Sequence, residues 1–190
     1  MLTTIYLVRH AHSIYSPDEL NRPLSERGKE DAVRVTSLLK LEKIDTVISS
    51  PYKRAIQTVE GIAQYIEKEI NIVEDFRERL LSDKPIEDFQ YAILKVWENA
   101  AFSWEGGESN VTAQQRGVQA LFEVLEKHPG QHVAIGTHGN IMVLIMNYFS
   151  EQYDVEFWRK LAMPDIYKLT FDGKVLQQVE RVGGSHVYKR

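Results

Sequence analysis

The sequence predicts an α/β fold built on a largely parallel sheet, with an antiparallel addition near its end. Two observations lead there. Short apolar runs rich in β-branched residues, Thr4–Val8, Thr46–Ser49, Ile70–Val73 and Val133–Thr137, alternate with longer helical stretches, the pattern of βα units. Near the end, Asp172-Gly173 separates the runs 167–171 and 175–182, a hairpin signal.

The elements follow in order. Residues 4–8 form a buried core strand. A helix opens at Leu24-Ser25-Glu26 and runs to about residue 41, with Ser25 as N-cap. After the strand 46–49, Ser50-Pro51 starts a second helix, with Ser50 as N-cap and Pro51 at its first position. The third strand spans 70–73. A helix from about Ile86 to Trp97 and the turn Gly106-Gly107 occupy the segment 82–107, and Glu108 to Lys127 is a helix stopped by Pro129-Gly130. The strand 133–137 precedes a run, Ile141–Met146, that is apolar on every side, as a buried helix should be. The tail from Gly183 to Arg190 is expected to be loose.

Bulk properties narrow the function. The chain has 190 residues, 43% hydrophobic and 26% charged, enough for one domain with its own core. It holds no cysteine, which excludes disulfides, thiolate metal sites and a cysteine nucleophile. A net charge of −4 with no basic stripe argues against nucleic acid. No run is long enough to span a membrane and Met1-Leu2-Thr3-Thr4 carries no basic leader, so a cytoplasmic location is expected.

Chemistry is expected at the strand ends, because ligands of open α/β sheets bind outside the carboxyl ends of the strands. The first strand ends in Arg9-His10, the second in Ser49-Ser50-Pro51 with Arg54 beyond, and the fourth in Thr137-His138-Gly139. Arg54 and Lys53 lie in the first turn of a helix, where cations oppose the helix dipole. A phosphate would reverse that penalty; a surface Arg paired with a carboxylate is the plainer alternative. His138 is either a hydrogen-bonded core histidine or a site residue, and Gly139 would let backbone approach a ligand. His10-x-His12 is also a possible metal half-site. His128, His132 and His186 are expected to be solvated. Glu78 sits among charges in Asp75-Phe76-Arg77-Glu78-Arg79-Leu80, and pattern alone does not single it out.

Taken together, these blocks resemble a known family. Leu7-Val8-Arg9-His10-Ala11-His12-Ser13 is similar to the Arg-His-Gly signature of the histidine phosphatase superfamily, phosphoglycerate mutase-like branch. Leu24-Ser25-Glu26-Arg27-Gly28 and Ser49-Ser50-Pro51-Tyr52-Lys53-Arg54-Ala55-Ile56-Gln57-Thr58 resemble its next blocks. Gly106-Gly107-Glu108-Ser109 with Arg116, and His138-Gly139, resemble the later ones. The set spans roughly residues 5 to 140 in the family's order.

The resemblance implies a three-layer sandwich with a mostly parallel central sheet, helices on both faces and a small helical lid, here at about 82–107 of a single domain. It implies a phosphatase acting on a small phosphorylated metabolite, with no metal and no cofactor. His10 is then the nucleophile, phosphorylated during turnover. Arg9, Arg54 and His138 hold the phosphoryl group with Gly139, and Glu78 is proton donor and then acceptor. On this reading His10 must be neutral, its tautomer fixed by a nearby carbonyl, while a protonated His138 adds charge beside the two arginines. Three positions depart from the pattern: Ala11 replaces the signature glycine, Ser16 an asparagine that would contact phosphate, and Ser82 a glycine after the acid. A mutase would want more cations near the lid, yet between Ser82 and Glu108 only Lys84 and Lys95 are basic. A non-catalytic phospho-ligand binding module, made conceivable by Ala11, is the remaining alternative.

Overall fold

The computed structural model describes residues 1–183 and the backbone of Val187–Tyr188. In chain order the elements are β1 (Leu2–Arg9), α1 (Glu26–Leu39), β2 (Thr46–Ser49), α2 (Lys53–Tyr65), β3 (Ile70–Ile72), α3 (Phe89–Glu98), α4 (Asn110–Lys127), β4 (His132–Thr137), α5 (Gly139–Phe149), α6 (Val155–Lys160), β5 (Asp165–Asp172), β6 (Val175–Arg181) and β7 (Val187–Tyr188). They build a seven-stranded sheet in the order β3-β2-β4-β1-β5-β6-β7. Strands β1 to β4 run parallel, and β5, β6 and β7 extend the sheet antiparallel from β1.

Alternation along β1 creates the layers. Ile5 and Leu7 pack with residues of α4 and α5, among them Leu121, Ile141 and Ile145. Tyr6 and Val8 face the other way, onto Val35 and Leu39 of α1 and Val59 and Ile62 of α2. A strand buried on both faces loses its polar alternation, which is why Ile5–Val8 is apolar without a break. Helix α5 is enclosed from Gly139 to Met146, as its unbroken apolar run predicts. A third cluster joins Leu81 to Ala92, Ile93 and Val96 of α3, with Trp97, Phe102, Trp104 and Trp158 against it. Three of the segment's aromatics therefore serve packing, while Phe89 and Tyr91 stay about half exposed.

The topology gathers the carboxyl ends of three strands. The chain passes from β1 to β2 across a gap that β4 later fills, so the tips of β2, β4 and β1 lie side by side. Pairing continues one residue past each outer strand: the His10 N–H donates to the Thr137 carbonyl and the Ser50 N–H to that of Gly136. The loop after β1 closes on itself through the Ser13–Leu24 bridge and the Ile14 N–H to the Pro23 carbonyl.

Several local expectations are corrected. Helix α2 begins at Lys53, with Tyr52 as N-cap and no side-chain cap. Ser50 fails to cap because its hydroxyl is engaged by the Tyr52 N–H and His138. The six-residue α6, capped by Asp154, is too short for periodicity to reveal. His132 is not solvated: its ring meets the Tyr6 hydroxyl and the Glu42 carbonyl. The loose tail and His186 concern residues 184–186 and 189–190, outside the described ones, whereas Val187–Tyr188 pairs with β6.

Candidate active site

His10 sits one residue past β1 and is buried. Its Nδ1 lies 2.8 Å from the Ala11 carbonyl oxygen, which can only accept, so Nδ1 carries the proton. Nε2 keeps its lone pair and receives the Arg54 Nε–H at 3.3 Å. Burial first, and then the charges of Arg54, Arg9 and Arg22, push the imidazole pKa down to about 3 against the pull of the Ala11 carbonyl. His10 is a neutral base with a fixed tautomer. Ala11 is fully buried, its N–H donates to Thr58 Oγ1, and its φ is not positive. No glycine is needed there, so the departure from the signature costs no backbone strain.

Arg54 is only 4% exposed although it lies in the first turn of α2. Its Nη1 donates to the Glu19 carbonyl at 2.8 Å and its Nη2 meets Glu19 Oε2 at 3.0 Å. Arg54 has a carboxylate partner but is not a surface residue, since it is buried against His10. Thr58 Oγ1 donates to the Arg54 carbonyl and accepts the Ala11 N–H, tying α2 to the nucleophile's neighbour.

Arg9 donates through Nη1 to the carbonyls of Leu161 and Ala162, where α6 ends; carbonyls at a helix C-terminus suit a cation. Its Nε is buried without a partner. Gly139, the first residue of α5, lies beneath this guanidinium: a Cβ there would stand 3.0 Å from Arg9 Nε. The glycine clears room for a cation.

His138 is the N-cap residue of α5 and fully buried. Its Nε2 is 2.7 Å from Ser50 Oγ, and its Nδ1 has no partner. The ring meets His10 edge-on at 5.1 Å and Tyr52 at 4.9 Å. Burial, followed by His10, Arg54, Arg116 and Arg9, holds its pKa well below the usual histidine range. Without a phosphate, burial and the surrounding cations thus favour the neutral imidazole, whereas the protonated His138 of the resemblance belongs to a site holding a phosphoryl group.

Glu78 follows the 3-10 turn Glu74–Phe76, whose Phe76 carbonyl receives the Thr137 hydroxyl at the tip of β4. Its Oε1 accepts the N–H groups of Arg79 and Ile141, and its Oε2 that of Asn140. The carboxyl is thereby seated on the first turn of α5, a natural anion position. Its charge is the first to offset the burial that lowers Arg9 and Arg79. Arg116 holds the backbone beneath it, donating to the carbonyls of Asp75, Arg77 and Glu78 and to Glu108. Glu108 accepts the Leu80 N–H in turn. Gly107 permits this closure, because a Cβ there would lie 2.1 Å from the Leu81 carbonyl oxygen.

The fold thus brings together Arg9, His10, Arg54, His138, Gly139 and Glu78. It does not join Ser16 to them by a hydrogen bond: the Ser16 hydroxyl accepts the Asp18 N–H. His12 is exposed and engaged with Ser25 Oγ, and among the described residues no group of three His, Cys, Asp or Glu side chains is placed to hold a metal ion. Glu19 was not expected at the site, and Ser50 was placed at the second strand's tip only as a helix cap. Adjacency of Ser50 to the second strand's tip was a usable signal; Glu19, in a polar loop, offered none.

A model of the histidine phosphatase superfamily (branch 1) matches residues 5–182. The chain belongs to this superfamily. Within the wider family it is 33% identical over 155 residues to phosphoglycerate mutase-like protein 4 of Arabidopsis thaliana, covering 73% of this chain and 67% of that one. It is 30% identical over 152 residues to phosphoserine phosphatase 1 of Hydrogenobacter thermophilus, covering 72% and 71%. Among solved structures, a mycobacterial glucosyl-3-phosphoglycerate phosphatase superposes with a TM-score of 0.79 at 20% identity, covering 96% and 99%. YhfR of Bacillus stearothermophilus superposes at 0.76 and 22% identity, covering 98% of both chains. These structural matches establish the phosphoglycerate mutase-like fold.

Proposed function

We propose that the protein hydrolyses a small phosphomonoester through a phosphohistidine formed at His10 Nε2. The observation that carries this reading is the state of His10: neutral, its Nδ1–H given to the Ala11 carbonyl, its Nε2 lone pair facing Arg54. That is an imidazole prepared for attack at phosphorus.

The surrounding donors fit a phosphoryl group. Arg9 Nε and His138 Nδ1 are buried polar atoms without partners, and buried donors normally have acceptors. A Ser50 hydroxyl that accepts the Tyr52 N–H can direct its own proton to His138 Nε2, leaving Nδ1–H as a donor. In this mechanism Arg9, Arg54 and His138 stabilise the equatorial oxygens, with Gly139 giving Arg9 its space. Nε2 forms a bond to phosphorus while the ester P–O bond breaks, and the Glu78 carboxyl, protonated when the phosphate dianion binds beside it, gives its proton to the leaving oxygen. The Glu78 carboxylate then takes a proton from water as that water attacks phosphorus. The P–N bond breaks and His10 is restored. No metal enters these steps. Ser16 remains a substrate contact only if its hydroxyl leaves the Asp18 N–H. Segment 82–107, carrying α3, is read as the lid over a single catalytic domain.

A relative called a phosphoserine phosphatase makes phosphorylated hydroxy amino acids the first substrates to try. The test compares wild type with His10→Ala on p-nitrophenyl phosphate and a panel of phosphorylated metabolites, with EDTA throughout. We expect phosphate release by wild type and a loss of at least about 10³-fold in the variant. A His10→Ala enzyme retaining most activity contradicts the proposal, and so does isomerisation of a phosphoglycerate outpacing phosphate release.

A further inference from the structure

Arg54 has a fork of donors, and the structure shows which edge of it is already occupied. Glu19 takes both terminal nitrogens, Nη1 through its backbone carbonyl at 2.8 Å and Nη2 through Oε2 at 3.0 Å. The Nε–H is left facing His10 Nε2 at 3.3 Å, and Nη2 has a second N–H on that same side. Glu19 is itself held: its Oε1 lies 2.9 Å from Arg22 Nη1, and Arg22 Nε donates to Ser13 Oγ. A chain of contacts therefore runs from the start of the β1 loop to the nucleophile, through Ser13, Arg22, Glu19, Arg54 and His10.

We propose that Glu19 is a positioning residue, which fixes the end of the Arg54 guanidinium so that its side-on edge meets the phosphoryl group on His10. This rests on the phosphohistidine reading of the site and adds a residue to it. The arrangement has a physical rationale. A bidentate arginine contact depends on orientation as well as charge, and the sequence neighbour of Arg54, Tyr52, whose ring centroid lies 4.7 Å from Cζ, offers the fork a ring face and not an acceptor. Glu19 supplies that orientation from another loop. It also places a negative charge close to where a phosphate binds, which opposes binding of the anion. The two effects have opposite signs, so the proposal has a distinctive signature.

Removing the carboxylate breaks the Arg22 pair but leaves the loop's other bonds in place. Asp18 accepts the N–H and side-chain amide of Asn21, the Lys53 N–H donates to the Leu20 carbonyl, and the Ile14 N–H donates to that of Pro23. The Nη1 bond uses the Glu19 backbone and survives any side-chain change. Variants at this position are therefore expected to fold.

The experiment measures kcat and the inhibition constant for inorganic phosphate in Glu19→Ala, Glu19→Gln and wild type, using p-nitrophenyl phosphate. For Glu19→Ala the expected result is a kcat lower by about tenfold to a hundredfold, with phosphate binding as tight as wild type or tighter. Glu19→Gln, which keeps an oxygen for Nη2, should recover part of the lost kcat. Arg22→Gln should shift kcat in the same direction by less. A kcat within about twofold of wild type in Glu19→Ala overturns the proposal. A parallel loss of kcat, phosphate affinity and thermal stability overturns it too, as it assigns Glu19 to loop structure. Failure of the underlying reading is separate: it shows as activity retained in His10→Ala, whatever Glu19 does.

Discussion

The chemistry turns on where individual protons sit. At His10 one carbonyl, that of Ala11, decides the tautomer, and burial among arginines keeps the ring neutral. At His138 the neighbour is Ser50, whose hydroxyl is 2.7 Å from Nε2 and, while accepting the Tyr52 N–H, can donate to it. Ser50→Ala removes the group that selects the Nδ1–H form, so kcat on p-nitrophenyl phosphate should fall about tenfold with little change in thermal stability, as expected for one misdirected hydrogen bond. An unchanged kcat shows that His138 acts without it. The meeting of Arg9, His10 and His138 at neighbouring strand tips was legible, because parallel strands bring their carboxyl ends to one edge; Arg54 joins them from the first turn of α2. Ser50 was visible but misassigned, since a Ser-Pro pair before a helix signals a cap as readily as a partner for a distant imidazole. The lowered pKa of His138 was not legible at all: it depends first on complete burial and then on the cations the fold places around the ring.

Among the elements, the segment carrying Glu78 depends on α4. Arg116, on that helix, fastens the carbonyls of Asp75, Arg77 and Glu78 and the Glu108 carboxylate, at 2.7 Å from Nε to Oε1. The Glu108 carboxyl is held below the usual range by Arg116 and the Leu80 N–H, against its own burial. Glu108→Gln weakens this clamp while leaving every group at the phosphoryl site intact. We expect kcat to fall about tenfold or more, and the phosphate inhibition constant to stay within about twofold. Equal losses in both indicate a collapsed site instead. Sequence pattern could not single out Glu78, whose neighbours are all charged; only the family resemblance marked it. The reason lies in long-range contacts, with Asn140 and Ile141 on α5 supplying its seat. Helix α6 escaped notice for a different reason: its six residues carry too little pattern, yet the carbonyls at its end hold Arg9.

For the whole molecule, the site weighs on stability. Unfolded histidines take up protons near pH 6.5, whereas native His10 resists until about pH 3, and His138 is shifted the same way. Between those limits the unfolded chain binds more protons, so stability falls as the pH drops and is fully present only above about 6.5. His10 alone should cost about 2 kcal/mol between about pH 7.5 and about pH 5. Thermal melts of His10→Gln in phosphate-free buffer should lose less Tm over that range than wild type; parallel curves contradict the assignment. The sheet itself was largely readable. Its parallel core and terminal hairpin follow from apolar runs and turn signals, because strands buried on both sides have little freedom in composition, whereas helices on both faces were implied by the family resemblance. What pattern does not reveal is strand order, and it is the late insertion of β4 between β2 and β1 that brings three strand tips together.

The central claim is that His10 carries the phosphoryl group. Rapid quenching of a single turnover with labelled substrate into alkali, where phosphohistidine survives, tests it most directly. The account predicts label on the peptide containing His10 in wild type and none in His10→Ala. Turnover by wild type with no label at His10 would contradict it.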